Sequence, residues 1–144
     1  MSANTPTVVV VDDDKVIRGL CCRMLEPLGI EILQAEDGTE ARELFRSGLE
    51  ISLLITDVLM PRMTGPQLVE SLLPEHPDLQ VLYISGYTTG TDDLCRQVRD
   101  RGFSFLRKPF TTAQFAGRVR EMLTAERESR TGAEGDGPGL VRQP

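Results

Sequence analysis

Strand-length runs of β-branched and aliphatic residues alternate along the chain with segments whose apolar residues recur at helical spacing. That alternation is what a parallel sheet with helices on both faces requires. The first run is Thr7–Val11 (β1), and the helix expected after it (α1) carries Ile17, Leu20, Met24 and Leu28 on one stripe before Gly29 ends it. The second run, Glu31–Ala35 (β2), is half polar and suits a sheet edge; Gly38 then leads into a helix bearing Ala41, Leu44 and Phe45 (α2). Leu53–Thr56 (β3) is apolar enough to be central. It runs straight into Asp57, after which Leu68, Val69, Leu72 and Leu73 mark a third helix (α3) that Pro74 stops. Gln80–Ile84 is β4. A helix anchored only by Leu94 and Val98 (α4), the strand Ser104–Leu106 (β5) and a last helix presenting Phe115, Val119 and Met122 (α5) complete five strand-helix units.

A chain of 144 residues has room for one core, and its 40% apolar and 26% charged content is that of an ordinary globular domain. The expected division is an N-terminal extension over 1–6, a folded domain over 7–125, and a disordered tail over 126–144 rich in Glu, Arg, Gly and Pro. The formal net charge of -6 excludes a general attraction to nucleic acid, whose phosphates are held by clustered Lys and Arg. No apolar run approaches the length of a membrane span, and Met1–Thr7 has no secretory signal character, so a cytoplasmic location is expected. Cys21, Cys22 and Cys95 lack metal-ligand spacing and are expected mainly in the core. His76, in an expected loop with no second histidine near it, is expected to be solvated and is assigned no role.

Open parallel sheets gather their ligands at the carboxyl ends of the strands. Here β1 ends in Asp12, Asp13 and Asp14, β3 in Asp57, β4 in Ser85 and β5 in Lys108. Carboxylates brought so close repel one another unless a cation lies between them, and oxygen-only ligands favour a hard ion such as Mg2+. An added lysine and a small hydroxyl then suit a bound phosphoryl group. Aspartates also cap helices at such positions, and Asp14, immediately before Lys15-Val16-Ile17, is assigned that duty alone.

The pattern Val10-Val11-Asp12-Asp13-Asp14, then Thr56-Asp57-Val58-Leu59-Met60-Pro61 with Gly65, then Ile84-Ser85-Gly86-Tyr87, then Leu106-Arg107-Lys108-Pro109-Phe110 resembles the receiver domains of two-component signalling. The resemblance runs from Thr7 to about Ala125. It implies a flavodoxin-like (βα)5 fold, a doubly wound parallel five-stranded sheet of strand order 2-1-3-4-5. It implies that Asp57 is the phosphoacceptor of a phosphorelay, assisted by Lys108 and Ser85. Asp13, Asp57 and the backbone carbonyl of Leu59 would be direct Mg2+ ligands, with Asp12 reaching the ion through water. Pro109 matches a proline often held in cis, which aims Lys108 inward.

The same resemblance implies a switch in which Ser85 moves toward the phosphate and Phe105, where a tyrosine is usual, follows it inward, altering the α4-β5-α5 surface. Implied partners are a sensor histidine kinase or a histidine phosphotransfer protein, with homodimer pairing through that same surface. Such a domain is no enzyme on outside substrates; it catalyses its own phosphorylation and, with bulky Leu59 and Tyr87 flanking the phosphate, a slow dephosphorylation. The Ile84–Thr88 stretch is similar to receivers attached to hybrid sensor kinases, which leaves a stand-alone regulator and a domain of a longer kinase both open.

Three other readings compete. A nucleotide site would need a glycine-rich turn where Asp12-Asp13-Asp14 stand. A Mg2+-dependent phosphatase needs a general acid and a substrate cap, and no insertion is available to form one. A receiver-like module that binds partners without phosphorylation would not need the complete acid, hydroxyl and lysine set.

Overall fold

The computed structural model describes residues 5–86, 96, 98 and 103–131 of the chain. Five parallel strands form one sheet in the order β2-β1-β3-β4-β5, as expected. Their bounds are Thr7–Val11, Glu31–Ala35, Leu53–Asp57, Gln80–Ser85 and Ser104–Arg107. The last three run one residue further than the apolar runs alone indicate. Cross-strand pairing extends them, since Asp57 lies opposite Ile84 and Ser85 opposite Arg107 in the ladders.

Because successive side chains on a strand point to opposite faces, the sheet sorts its residues by parity. Val9, Val11, Leu54, Val81 and Tyr83 face α2 (Gly38–Arg46) and α3 (Gly65–Leu72) and pack against Phe45 and Leu68. Val8, Val10, Leu53, Ile55, Leu82 and Ile84 face α1 (Lys15–Leu25) and α5 (Thr112–Thr131), packing with Leu25 and Phe115. A parallel sheet covered on both faces explains why these strands read as near-continuous apolar runs. The partly exposed β2 and β5 lie at the edges.

Helix ends follow local chemistry. Asp14 caps α1, accepting from the amides of Val16 and Ile17. Asp37 caps α2 through the Glu40 amide, and Thr64 with Gln67 forms a reciprocal capping box at the start of α3. A 3-10 turn, Glu26–Leu28, follows α1, and Gly29 closes it in the left-handed region at φ 68°.

Three expectations need correction. The buried stripe of α1 is centred on Cys21 and Leu25, whereas Leu20 is 43% exposed. Ile17, Met24 and Leu28 pack against the same core as expected, so only Leu20 turns out of the stripe. The last helix continues to Thr131, past the end expected at Ala125. Ala, Glu and Arg propagate a helix without needing buried surface, so a segment too polar for a core can still prolong one. Finally, His76 is half-buried, its ring edge-on to Phe45 at 5.1 Å between centroids.

Of the expected α4, Arg96 and Val98 are helical and Val98 is buried; Leu94, Cys95 and Tyr87 lie outside the described residues, as do residues 132–144 of the expected tail.

Candidate functional site

Asp12, Asp13, Asp57, Leu59, Ser85 and Lys108 sit at or just beyond the carboxyl end of a strand, on one rim of the sheet, whereas Phe105 lies within β5. Asp12 directly follows β1; its amide donates to the Ala35 carbonyl at the end of β2 (3.2 Å), and its carboxylate Oδ1 accepts from the Asp14 amide (2.8 Å). These bonds bend the acidic turn back on itself. Asp13 projects from that turn into solvent, while Asp12 is buried. Asp57 is the last residue of β3, two strands removed from β2 and adjacent to β1. Carboxylate oxygens of Asp12, Asp13 and Asp57 all lie within 4.8 Å of one another.

Such crowding leaves its mark on the acids. Burial, reinforced by the negative charge of Asp12, pushes the Asp57 carboxyl up to about 6, against the opposing pull of Lys108. Burial likewise raises Asp12, offset in part by the hydrogen bond from the Asp14 amide. The Lys108 Nζ lies 3.9 Å from Asp57 Oδ2, the outer limit of an ion pair, so one ammonium screens a group of three acids incompletely. An oxygen-only set with excess negative charge fits a hard divalent ion such as Mg2+.

The backbone places Lys108 with care. Its amide donates to the Ser85 carbonyl (2.7 Å), extending the β4–β5 ladder by one bond, and the following peptide, Lys108-Pro109, is cis as expected. Ser85 ends β4, buried, with Oγ donating to the Gly86 carbonyl at 3.1 Å. It neighbours Asp57 across the β3–β4 ladder, where Asp57 pairs with Ile84. Leu59 turns its amide toward Asp57 Oδ1 (3.4 Å) and leaves its side chain exposed. Phe105 pairs with Tyr83 in the ladder, is half-buried against the α2-α3 side of the core, and has the Arg107 guanidinium 5.9 Å from its ring centroid. Arg118 on α5 donates to the Phe105 carbonyl at 3.2 Å.

The loop after β3 can pass so close to the strand only because Gly65 has no side chain. A Cβ there would run into the main-chain carbonyl oxygen of Asp57 and stand 3.2 Å from the Tyr83 ring. The backbone cannot yield easily, as the Gly65 amide is bonded to the Val58 carbonyl (2.8 Å) and the Val58 amide to the Ile84 carbonyl (2.9 Å).

One residue escaped the sequence reading. Arg18, on the first turn of α1, donates from Nη1 to the Asp12 carbonyl at 2.6 Å and from Nε to Gln34 Oε1 on β2 at 3.1 Å. The sequence carried no distinguishing signal for it: a cation on the first turn opposes the helix dipole, but Lys15 stands in the same turn and shares that feature.

A family model described as the response regulator receiver domain matches residues 8–120. Among similar proteins is the sensor kinase CckA of Brucella abortus, 37% identical over 123 residues that make up 84% of this chain and 13% of that one. Protein PetR of Rhodobacter capsulatus is 31% identical over 140 residues, 91% of this chain and 54% of that one. The chain thus spans less than two thirds of the length of either relative. In three dimensions it is similar to the crystal structure of a response regulator receiver domain protein from Clostridium thermocellum, with a TM-score of 0.78 and 25% identity over 86% of this chain and 98% of that one.

Proposed function

This chain belongs to the response regulator receiver domain family, and from that membership we propose that Asp57 is its phosphoacceptor, with Lys108 and Ser85 completing the site. The observation that carries the proposal is the position of Asp57: last on a central strand, clustered with Asp12 and Asp13, and 3.9 Å from the only lysine ammonium brought to it among the described residues.

A carboxylate oxygen of Asp57 attacks the phosphorus of a phosphohistidine, the phosphorus–nitrogen bond breaks, and the imidazole leaves with the electron pair. Lys108 meets the charge on the transferred group, and the Ser85 hydroxyl donates to one of its oxygens. Asp13, Asp57 and the Leu59 carbonyl would hold Mg2+ directly and Asp12 would reach it through water, and the bound ion would neutralise the acids and the incoming phosphoryl oxygens. Desolvation of Asp57 suits this chemistry, since a less hydrated carboxylate is a better nucleophile.

Similarity to a segment of a sensor kinase supports a sensor histidine kinase or a histidine phosphotransfer protein as donor. The domain acts on its own aspartate alone, in the cytoplasm, and Ser85 and Phe105 relay the change to the α4-β5-α5 surface, through which two copies can pair. Among the described residues no helix is long and apolar enough to cross a membrane.

Intact-mass measurement after incubation with a small acyl phosphate tests the proposal. The parent should gain one phosphoryl group only when Mg2+ is supplied, and Asp57→Asn should gain none. A parent that gains nothing, and whose thermal midpoint does not respond to beryllofluoride with Mg2+, is not a phosphoacceptor.

A further inference from the structure

The acidic turn would not hold its shape unaided. It is exposed at Asp13 and Asp14, and it keeps Asp12 and Asp13 near Asp57 against their mutual repulsion. From within, the Asp14 amide donates to Asp12 Oδ1. From outside, the Asp12 amide is bonded to Ala35 on β2, and the Asp12 carbonyl accepts the short 2.6 Å bond from Arg18. The same guanidinium reaches Gln34, the β2 residue next to Ala35, so the two peptide groups flanking the Asp12 Cα are each held by one small patch of β2 and α1.

We propose that Arg18 is a positioning residue for the metal site: its guanidinium, braced by Gln34, fixes the Asp12 carbonyl and so sets the approach of the Asp12 and Asp13 carboxylates to Asp57. The inference rests on the phosphoacceptor reading above. Planarity is essential to it. Nε and Nη1 lie in one rigid plane and serve acceptors on two different elements, which a lysine ammonium on a flexible stem cannot reproduce. The positive charge on Arg18 matters less, since it is spent on a neutral carbonyl and a neutral amide and touches none of the three acids. Groups that orient metal ligands from behind characteristically govern affinity for the ion, and their removal weakens it by about tenfold or more.

Calorimetric titration with Mg2+ tests this on the parent, Arg18→Ala, Arg18→Lys and Gln34→Ala, with circular dichroism confirming the fold of each. Arg18→Ala is expected to bind Mg2+ about tenfold more weakly, with Arg18→Lys close to it and Gln34→Ala showing a smaller loss of the same sign. Phosphorylation by an acyl phosphate should slow at low Mg2+ in these variants and recover to the parental rate at saturating Mg2+. A residue that served only to stabilise the fold would lower the thermal midpoint and leave Mg2+ affinity where it was. Affinity within about twofold of the parent in Arg18→Ala, or full retention in Arg18→Lys, overturns the inference. Should Arg18→Ala not fold, the lysine and Gln34 variants decide alone by the same criteria. A parent that takes up no Mg2+ refutes the phosphoacceptor reading, and the role of Arg18 falls with it, whereas a parent that binds beside variants that bind equally refutes the role alone.

Discussion

Asp57 is held in an ionisation state the fold does not favour. Its carboxyl is pushed up to about 6 from an ordinary 3.8, so between those values the folded chain retains a proton that the unfolded chain has released. The contribution of Asp57 to stability therefore falls as pH rises from about 4 to 6 and stays low above that range. Asp57→Asn removes the liability. With the Asp57 side chain only 15% exposed, solvent relieves little of it, and the variant should be more stable than the metal-free parent by about 3 kcal/mol at pH 7.5. The gap should close below pH 4, and Mg2+ should raise the melting temperature of the parent while leaving the variant where it was. Thermal melts across pH with and without the ion check all three. Residues of this kind are legible in a sequence because their types are unusual for their place: an acid ending an apolar strand and a lysine before a proline. Arg18 was not, because its bonds go to a backbone carbonyl and an amide side chain, and neither partner has a compositional signature.

At the scale of the elements, strand identity was plain and helix orientation was not. β1 and β2 occupy the residues expected of them, since hydrophobic runs of that length leave little choice. For α1, spacing alone could not choose between Leu20 and Cys21 as the inward residue; neighbours at about 100° on a helical wheel share the edge of an apolar face, and only packing against the sheet and α5 settles which turns in. Asp14 shows how separable such local devices are from chemistry. Its side chain caps two amides of α1, so Asp14→Ala should cost about 1 kcal/mol in denaturant unfolding. The acyl phosphate reaction should continue near the parental rate, since the Asp14 amide that holds Asp12 is retained.

At the scale of the whole, the described residues form one sheet buried from both sides, and the last buried residues among those described on α5 are Met122 and Leu123. A chain cut to residues 7–125 should accordingly unfold in one transition, within about 1 kcal/mol of the full chain in urea. A larger loss would place the helical residues up to Thr131 within the cooperative unit. Sequence reasoning could order the strands only through family likeness, because hydrophobic runs say that a strand is central or edge and not which neighbours it takes. The rim that results draws its chemistry from β1, β3, β4 and β5, and the order in which these leave the ribosome carries its own consequence. Asp12 and Asp13 are translated first, Asp57 next, and Lys108 last. The mutually repelling half of the site is thus synthesised well before its counter-charge, and any association of the central strands before β5 is made must work against that repulsion unless a cation from the surrounding solution stands in for it.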